Sequence, residues 1–271
     1  MRTGFSDAVG ILYLVNEEIA VAVPSAGGVD RRFRPGRYIE SDYPPLRRSP
    51  FIRDMERITS SRAYRITYIG VPLVVAGLVV QERDHGFRHL RNDYVPSFRF
   101  RYDDYLQYAP AALMLGLKIG GVRGRSSWGR MLVSDAFSVA LMAGAVNSLK
   151  YTCRMPRPDG SNNKSFPSGH TATAFMAATM LHKEYGGRSP WYSIAGYSMA
   201  TVTGVSRMLN NKHWLSDVLV GAGIGILSVE LGYLFADLIF KDKGLTEFEQ
   251  DFFYDRYCRP SFFGMEVSTE V

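Results

Sequence analysis

The stretch KSFPSGHTATAF, Lys164 to Phe175, decides how the rest of the chain is read. Pro167, Ser168 and Gly169 are turn residues, and His170 stands directly before an apolar run that begins at Thr171. A turn of this composition followed by Ala-rich apolar sequence marks the N-terminus of a helix. Such a junction has two readings. It is a plain loop-to-helix boundary, or it is a place where free backbone N–H groups and an imidazole meet an anion.

The same alternation recurs outward from this point. Apolar runs separated by short charged segments cover Ile66–Gln81, Tyr105–Leu117, Met131–Ser148, Thr171–Leu181, Trp191–Arg207 and Leu215–Phe240. They are helix-length, rich in Ala, Gly, Leu, Met and Val, and carry no clear period-two alternation, so an all-α fold of six helices is expected. Gly and Ala inside apolar helices permit close helix packing, as within membranes. A span needs about 20 mostly apolar residues. Ile66–Gln81 supplies 16 without a charge and Ser189–Ser206 supplies 18, whereas Asp135, Asp217, Glu230 and Asp237 interrupt other runs. With a mean hydropathy of −0.09, a soluble helical bundle competes with a membrane one. If all six helices span, the loops of one side hold 20 lysines and arginines against 11 on the other. The positive-inside rule then places the richer side and both chain ends in the cytoplasm.

Three regions follow: a lead-in over 1–65, mostly facing the cytoplasm, a helical membrane domain over 66–240 and a cytoplasmic tail over 241–271. Residues 24–65 hold ten arginines and the breakers of YPPLRRSP, with one amphipathic helix expected near Phe51–Arg65. The apolar segment Ala8–Val23 is split by Glu17 and Glu18, which a secretory signal would not carry, so it reads as a core or interfacial segment.

The 271 residues carry a net charge of +6, with 46% hydrophobic and 21% charged residues. This excludes a disordered chain and favours anionic partners. No basic block interleaved with aromatics suggests nucleic acid. Cys153 and Cys258 have neither metal-ligand nor disulfide-framework spacing. His85 and His89 have the i, i+4 spacing of a helical metal pair, but without further ligands they read as part of a solvated charged loop.

Chemistry concentrates in three segments that share the less basic side. KYTCRMPRP places Lys150 seven residues before Arg157, PSGH supplies Ser168, Gly169 and His170, and SRMLNNKHWLSD supplies Arg207, His213 and Asp217. Each is ordinary alone; in this order they suit phosphoryl transfer. Lys150, Arg157 and Arg207 can surround phosphoryl oxygens, with arginine's fork matching phosphate geometry. Ser168 offers a hydroxyl, and Gly169 and His170 offer N–H groups at a helix start. Asp217, four residues after His213, lies on the same helical face and can hold one ring nitrogen as N–H, leaving the other free to attack. His213 is therefore the expected nucleophile. His170 is the expected general acid for the leaving group and then base for water, and the three cations make a metal or other cofactor unnecessary.

This composite, complete from Lys150 to Asp217, resembles the type 2 phosphatidic acid phosphatase superfamily. The resemblance implies a six-helix bundle, a site on the periplasmic face of a bacterial inner membrane, a phosphohistidine intermediate and the residue roles above. Only eight residues separate Pro158 from Pro167, which leaves little room for a lid and argues against the haloperoxidase branch. Residues before 60 have no counterpart. The expected activity is hydrolysis of a phosphate from an anionic lipid. The arginine-rich segment Arg83–Arg101 favours lipid A, with undecaprenyl diphosphate, phosphatidylglycerophosphate and phosphatidate as alternatives. A soluble non-specific acid phosphatase and a non-catalytic lipid-binding protein are the competing readings.

Overall fold

The computed structural model describes residues 14–15, 18–19, 51, 55, 57–59, 61–241 and 243–246. The chain divides into two units, Met1–Arg48 and Ser49–Val271. In the first, β1 (Leu14–Val15) and β2 (Glu18–Ile19) pair antiparallel, with Leu14 opposite Ile19 and Val15 opposite Glu18. The fold is helical as expected, and this two-residue pair is a local exception. Two-residue strands are too short to show a period of two, although Val15 and Ile19 have the β-branched side chains that strands favour. Of the amphipathic helix expected at 51–65, the described residues 51, 55, 57–59 and 62–65 are helical, and 52–54, 56 and 60 lie outside the described residues, as does the tail beyond 246.

The second unit is helical. Among the described residues it holds α1 (Arg62–Thr67), α2 (Gly70–Val80), α3 (Asp84–Tyr94), α4 (Asp103–Leu106), α5 (Ala109–Ile119), α6 (Trp128–Cys153), α7 (Gly169–Tyr185), α8 (Pro190–Leu209) and α9 (Leu215–Phe240). The six apolar runs fall in α2 and α5 to α9. Among the described residues α1, α3 and α4 stand beside those runs; they are short or polar, and hydrophobic periodicity does not report them. Among the described residues two helices, α6 and α9, are long and apolar enough to cross a membrane.

Helix α9 is the axis of the unit and packs on α2, α6 and α7. Its glycines set the spacing. A Cβ at Gly221 would stand 2.6 Å from the Ser168 carbonyl oxygen, and one at Gly223 2.6 Å from that of Gly70. Only glycine allows those backbones to approach so closely. Met131, Met142, Val146, Met176, Leu181, Tyr185, Val220, Ile224 and Val229 fill the core between α6, α7 and α9. Buried Ser134, Ser138 and Ser228 return their hydroxyls to the carbonyl four residues earlier, so these three polar side chains are satisfied inside the bundle. Large apolar side chains point outward instead: Val75, Leu78 and Val79 of α2, Leu132 and Val139 of α6, Ile194 and Val202 of α8, and Leu238 and Ile239 of α9.

The helix ends sort by function. The C-termini of α6 and α8 and the N-termini of α7 and α9 meet at one end, where the three motifs lie. At the other end Ser127 N–H donates to the Gly244 carbonyl (2.7 Å) and Thr246 N–H to that of Arg125 (3.0 Å), fastening the segment after α9 beside the start of α6.

Candidate active site

The motif residues stand at helix termini or in the links that join them. Ser168, fully buried, is the N-cap of α7: its Oγ accepts from Thr171 N–H (3.4 Å) and shares a hydrogen bond with Thr171 Oγ1 (2.9 Å). Its own N–H donates to the Asp217 carbonyl (3.0 Å), joining the start of α7 to the start of α9. The close approach at Gly221, one turn further along α9, makes that bond possible. Gly169 faces Lys150, whose Cε would lie 3.8 Å from a Cβ at that position.

His213 stands in the link between α8 and α9 and is 3% exposed; Asp217 is 0% exposed. The His213 Nδ1 lies 3.4 Å from Asp217 Oδ2, a close ion-pair separation without hydrogen-bond geometry. Asp217 Oδ2 is instead held by the Trp214 backbone N–H (2.9 Å) and by a short bond from Ser165 Oγ. Asp217 thus has a helix-capping task besides facing the imidazole. Burial pushes the His213 pKa down to about 4; Asp217 opposes the shift, and Arg207 and Lys150 add to it. The ring is therefore neutral at neutral pH, as a nucleophile requires.

Three cations converge on this pair. Arg157 is held below its ordinary pKa first by burial and then by Arg207. Arg207 is buried, and its Nη1 donates to Asp103 Oδ2 (2.9 Å). Lys150 Nζ donates to the Lys164 carbonyl (3.1 Å). The Nε atoms of Arg157 and Arg207 are buried and have no hydrogen-bond partner in the protein. Buried guanidinium N–H groups without acceptors are costly, and an anion among Lys150, Arg157 and Arg207 would supply acceptors. His170, at the first turn of α7, places Nε2 2.8 Å from Asp104 Oδ1.

All eight residues singled out in the sequence, Lys150, Arg157, Ser168, Gly169, His170, Arg207, His213 and Asp217, therefore gather at one end of the helices. The structure adds residues that the motifs did not contain. Asp103 holds Arg207, Asp104 faces His170, and Asp84 accepts from Ser216 N–H (3.0 Å) and from its hydroxyl, fixing the first turn of α9. Trp214 donates from Nε1 to the Pro156 carbonyl (2.9 Å), and its ring meets the edge of His85 and the guanidinium of Arg88. The segment expected as a solvated loop around His85 is thus helix α3, packed on the site. The sequence reading of this segment as an arginine-rich charged loop gave no signal of that packing.

Among the described residues no cluster of three or more His, Cys, Asp or Glu side chains could hold a metal ion. His182 bonds Ser193 (2.7 Å), Glu230 pairs with Lys183 (2.7 Å), and Asp135 accepts from Tyr233 (3.3 Å), all away from the site.

Helices with three cations and a His–Asp pair gathered at their ends define a class, and comparison gives it a likeness: residues 132–240 match the PAP2 superfamily. The chain is 53% identical over 173 residues to a lipid A 1-phosphatase of Porphyromonas gingivalis, an alignment covering 64% of this chain. The chain spans 39% of that relative's length. Among solved structures it is similar to Aquifex aeolicus LpxE (25% identity, TM-score 0.42, 55% of this chain and 92% of the other). It is also similar to a transmembrane PAP2-type phosphatidylglycerolphosphate phosphatase from Bacillus subtilis (19% identity, TM-score 0.40, 65% and 100%).

Proposed function

We propose that this protein is an integral membrane phosphatase that removes a phosphate from a lipid A-type glycolipid. The observation that carries the reading is the convergence of Lys150, Arg157 and Arg207 on a buried, neutral His213 backed by Asp217. The 53% identity to a lipid A 1-phosphatase favours that substrate class over the other lipids.

In this mechanism the phosphoryl group is drawn among the three cations and the N–H groups at the start of α7, with Ser168 at its cap. His213 attacks phosphorus through Nε2 while Asp217 stabilises the positive charge that develops on the ring. The bond to the lipid oxygen breaks, and His170 gives that oxygen its proton. His170 then takes a proton from water, which attacks phosphohistidine, releases inorganic phosphate and restores His213. Charge on the equatorial oxygens is met by side-chain cations, so the chemistry proceeds without a metal.

Membrane embedding is supported by α6 and α9 and by the distribution of side chains. Outward Val, Leu and Ile surround an interior that holds serines and threonines, the arrangement expected where the solvent is lipid. The loop charges favour an inner-membrane, multi-pass topology with the site on the periplasmic face. In domain terms, 66–240 is the catalytic membrane region, with 1–65 and 241–271 on the cytoplasmic side.

The deciding experiment is phosphate release in detergent with EDTA present, from lipid A, undecaprenyl diphosphate, phosphatidylglycerophosphate and phosphatidate. Release from lipid A above the others is expected. Release from undecaprenyl diphosphate with lipid A untouched would overturn the substrate, and dependence on added metal would overturn the mechanism.

A further inference from the structure

The motifs assign a partner to the nucleophilic histidine and none to the other one. The structure does. Helix α4 carries two adjacent carboxylates with different surroundings. Asp103 is 2% exposed and tied to α8, accepting from Arg207 Nη1 (2.9 Å) and Asn210 Nδ2 (3.2 Å). Asp104 is 62% exposed at its side chain and reaches the other way, to His170 Nε2 at 2.8 Å. Arg207 Nη1 is 3.6 Å from the same Asp104 oxygen, beyond hydrogen-bond reach and already engaged by Asp103. His170 is thus the hydrogen-bond partner of the Asp104 carboxylate. The backbone behind it is fixed as well: Gln107 Nε2 donates to the Asp104 carbonyl (2.8 Å), and Leu106 N–H to that of Tyr102 (2.8 Å).

We propose that Asp104 is the positioning residue of His170, so that the site holds two Asp–His pairs, Asp217 with the nucleophile and Asp104 with the proton donor. The inference rests on the phosphatase reading above. With Nε2 engaged by Asp104, Nδ1 is the nitrogen left to face the leaving group. When the P–O bond breaks, the Nδ1 proton passes to the leaving oxygen and the N–H electron pair stays on the ring. Asp104 gains and loses no proton. It fixes the orientation of the imidazole and stabilises the imidazolium that precedes transfer. Asp103 anchors this arrangement: its buried bonds to α8 set the position of α4, and α4 sets that of Asp104.

A positioning partner of a general acid has a signature that a merely structural residue lacks. Its loss matters in proportion to how much the leaving group needs a proton. The test uses the full chain in detergent and compares Asp104→Asn with the unsubstituted protein on dodecyl phosphate, a poor leaving group, and p-nitrophenyl phosphate, a good one. The reading is kcat/KM, which reports events through phosphoryl transfer to His213 and is blind to the later hydrolysis. For dodecyl phosphate it is expected to fall about 10- to 100-fold, the low end of a general-acid contribution, and for p-nitrophenyl phosphate less than about threefold. Asp104→Glu should restore part of the dodecyl phosphate rate, and inhibition by inorganic phosphate should be unchanged.

Equal losses on the two substrates would overturn the inference. So would tighter inhibition by phosphate in Asp104→Asn, which would make Asp104 an occupant of the phosphate position. If the unsubstituted protein released phosphate from neither compound nor from the lipids, the phosphatase reading would fall and this inference with it. An active unsubstituted protein with equal losses removes this inference alone.

Discussion

The two ends of the helical unit handle buried charge in opposite ways. At the far end, charges are spent on one another. Arg130, 2% exposed, sends Nη2 to Asp237 and Nη1 to the carbonyls of Lys241 (2.6 Å) and Lys243 (2.8 Å). Arg125 reaches the same Asp237 at 3.2 Å. Glu184 accepts from Ser126 N–H (3.0 Å) and Tyr233 OH (3.1 Å). Buried Nε atoms without an acceptor occur at both ends, on Arg130 at the far end and on Arg157 and Arg207 here, but at the motif end Lys150, Arg157 and Arg207 crowd one another, and His213 Nδ1 is buried beside Asp217 without a hydrogen bond. Paired charges hold a fold together; gathered like charges weaken it and wait for an anion. On the proposed function, the contrast separates residues that serve stability from residues that serve chemistry.

The sharpest way to break this division is His213→Ala. On the mechanism above it removes the atom that attacks, and phosphate release should fall by at least about 10⁴-fold. Because the lost ring is buried, neutral and poorly partnered, thermal unfolding in detergent should change little. A variant that retained hydrolysis would remove His213 as nucleophile, and one that lost its fold would erase the distinction between the two ends.

The reciprocal substitution is Asp237→Asn. It leaves Arg130 buried without its carboxylate, a change of roughly 3 kcal/mol against the folded state. A clear drop in melting temperature is expected, with turnover per folded molecule preserved. A loss of turnover at unchanged melting temperature would mean that the far end communicates with the site.

The sequence reported which residues gather at one end of the helices better than it reported the architecture. Lys150, Arg157, Ser168, Gly169, His170, Arg207, His213 and Asp217 were legible because their types and spacing are dictated by local constraints: a cap, a turn, one helical repeat. The long apolar runs were legible for the same reason. What was hidden depends on contacts between distant segments. Asp103 meets Arg207 across 104 positions and Asp84 meets Ser216 across 132. No periodicity in residues 82–104 reports that two helices there lie against the site. The strand pair at Leu14–Val15 and Glu18–Ile19 was missed because each strand is a single repeat long.

The smallest expected effect lies between these extremes, at the ion pair of Lys212 and Asp159 (2.6 Å). It links the loop after Arg157 to the residue before His213. Burial raises the Asp159 pKa, but bonds from Lys212 and Ser161 overcome this and bring it down to about 2. A carboxylate with a depressed folded pKa adds stability above its unfolded value near 4, and that stability is lost as pH falls toward 2. Lys212→Met should therefore cost less than about 1 kcal/mol at pH 7, since both partners are partly solvated, and the cost should shrink toward nothing in strong acid. Unfolding measured at pH 7 and pH 3 would show it. The site should feel the change only through the looser loop, as a few-fold rise in KM at most. A much larger loss of turnover would place Lys212 among the phosphate-binding cations and extend the charge-gathering region by one residue.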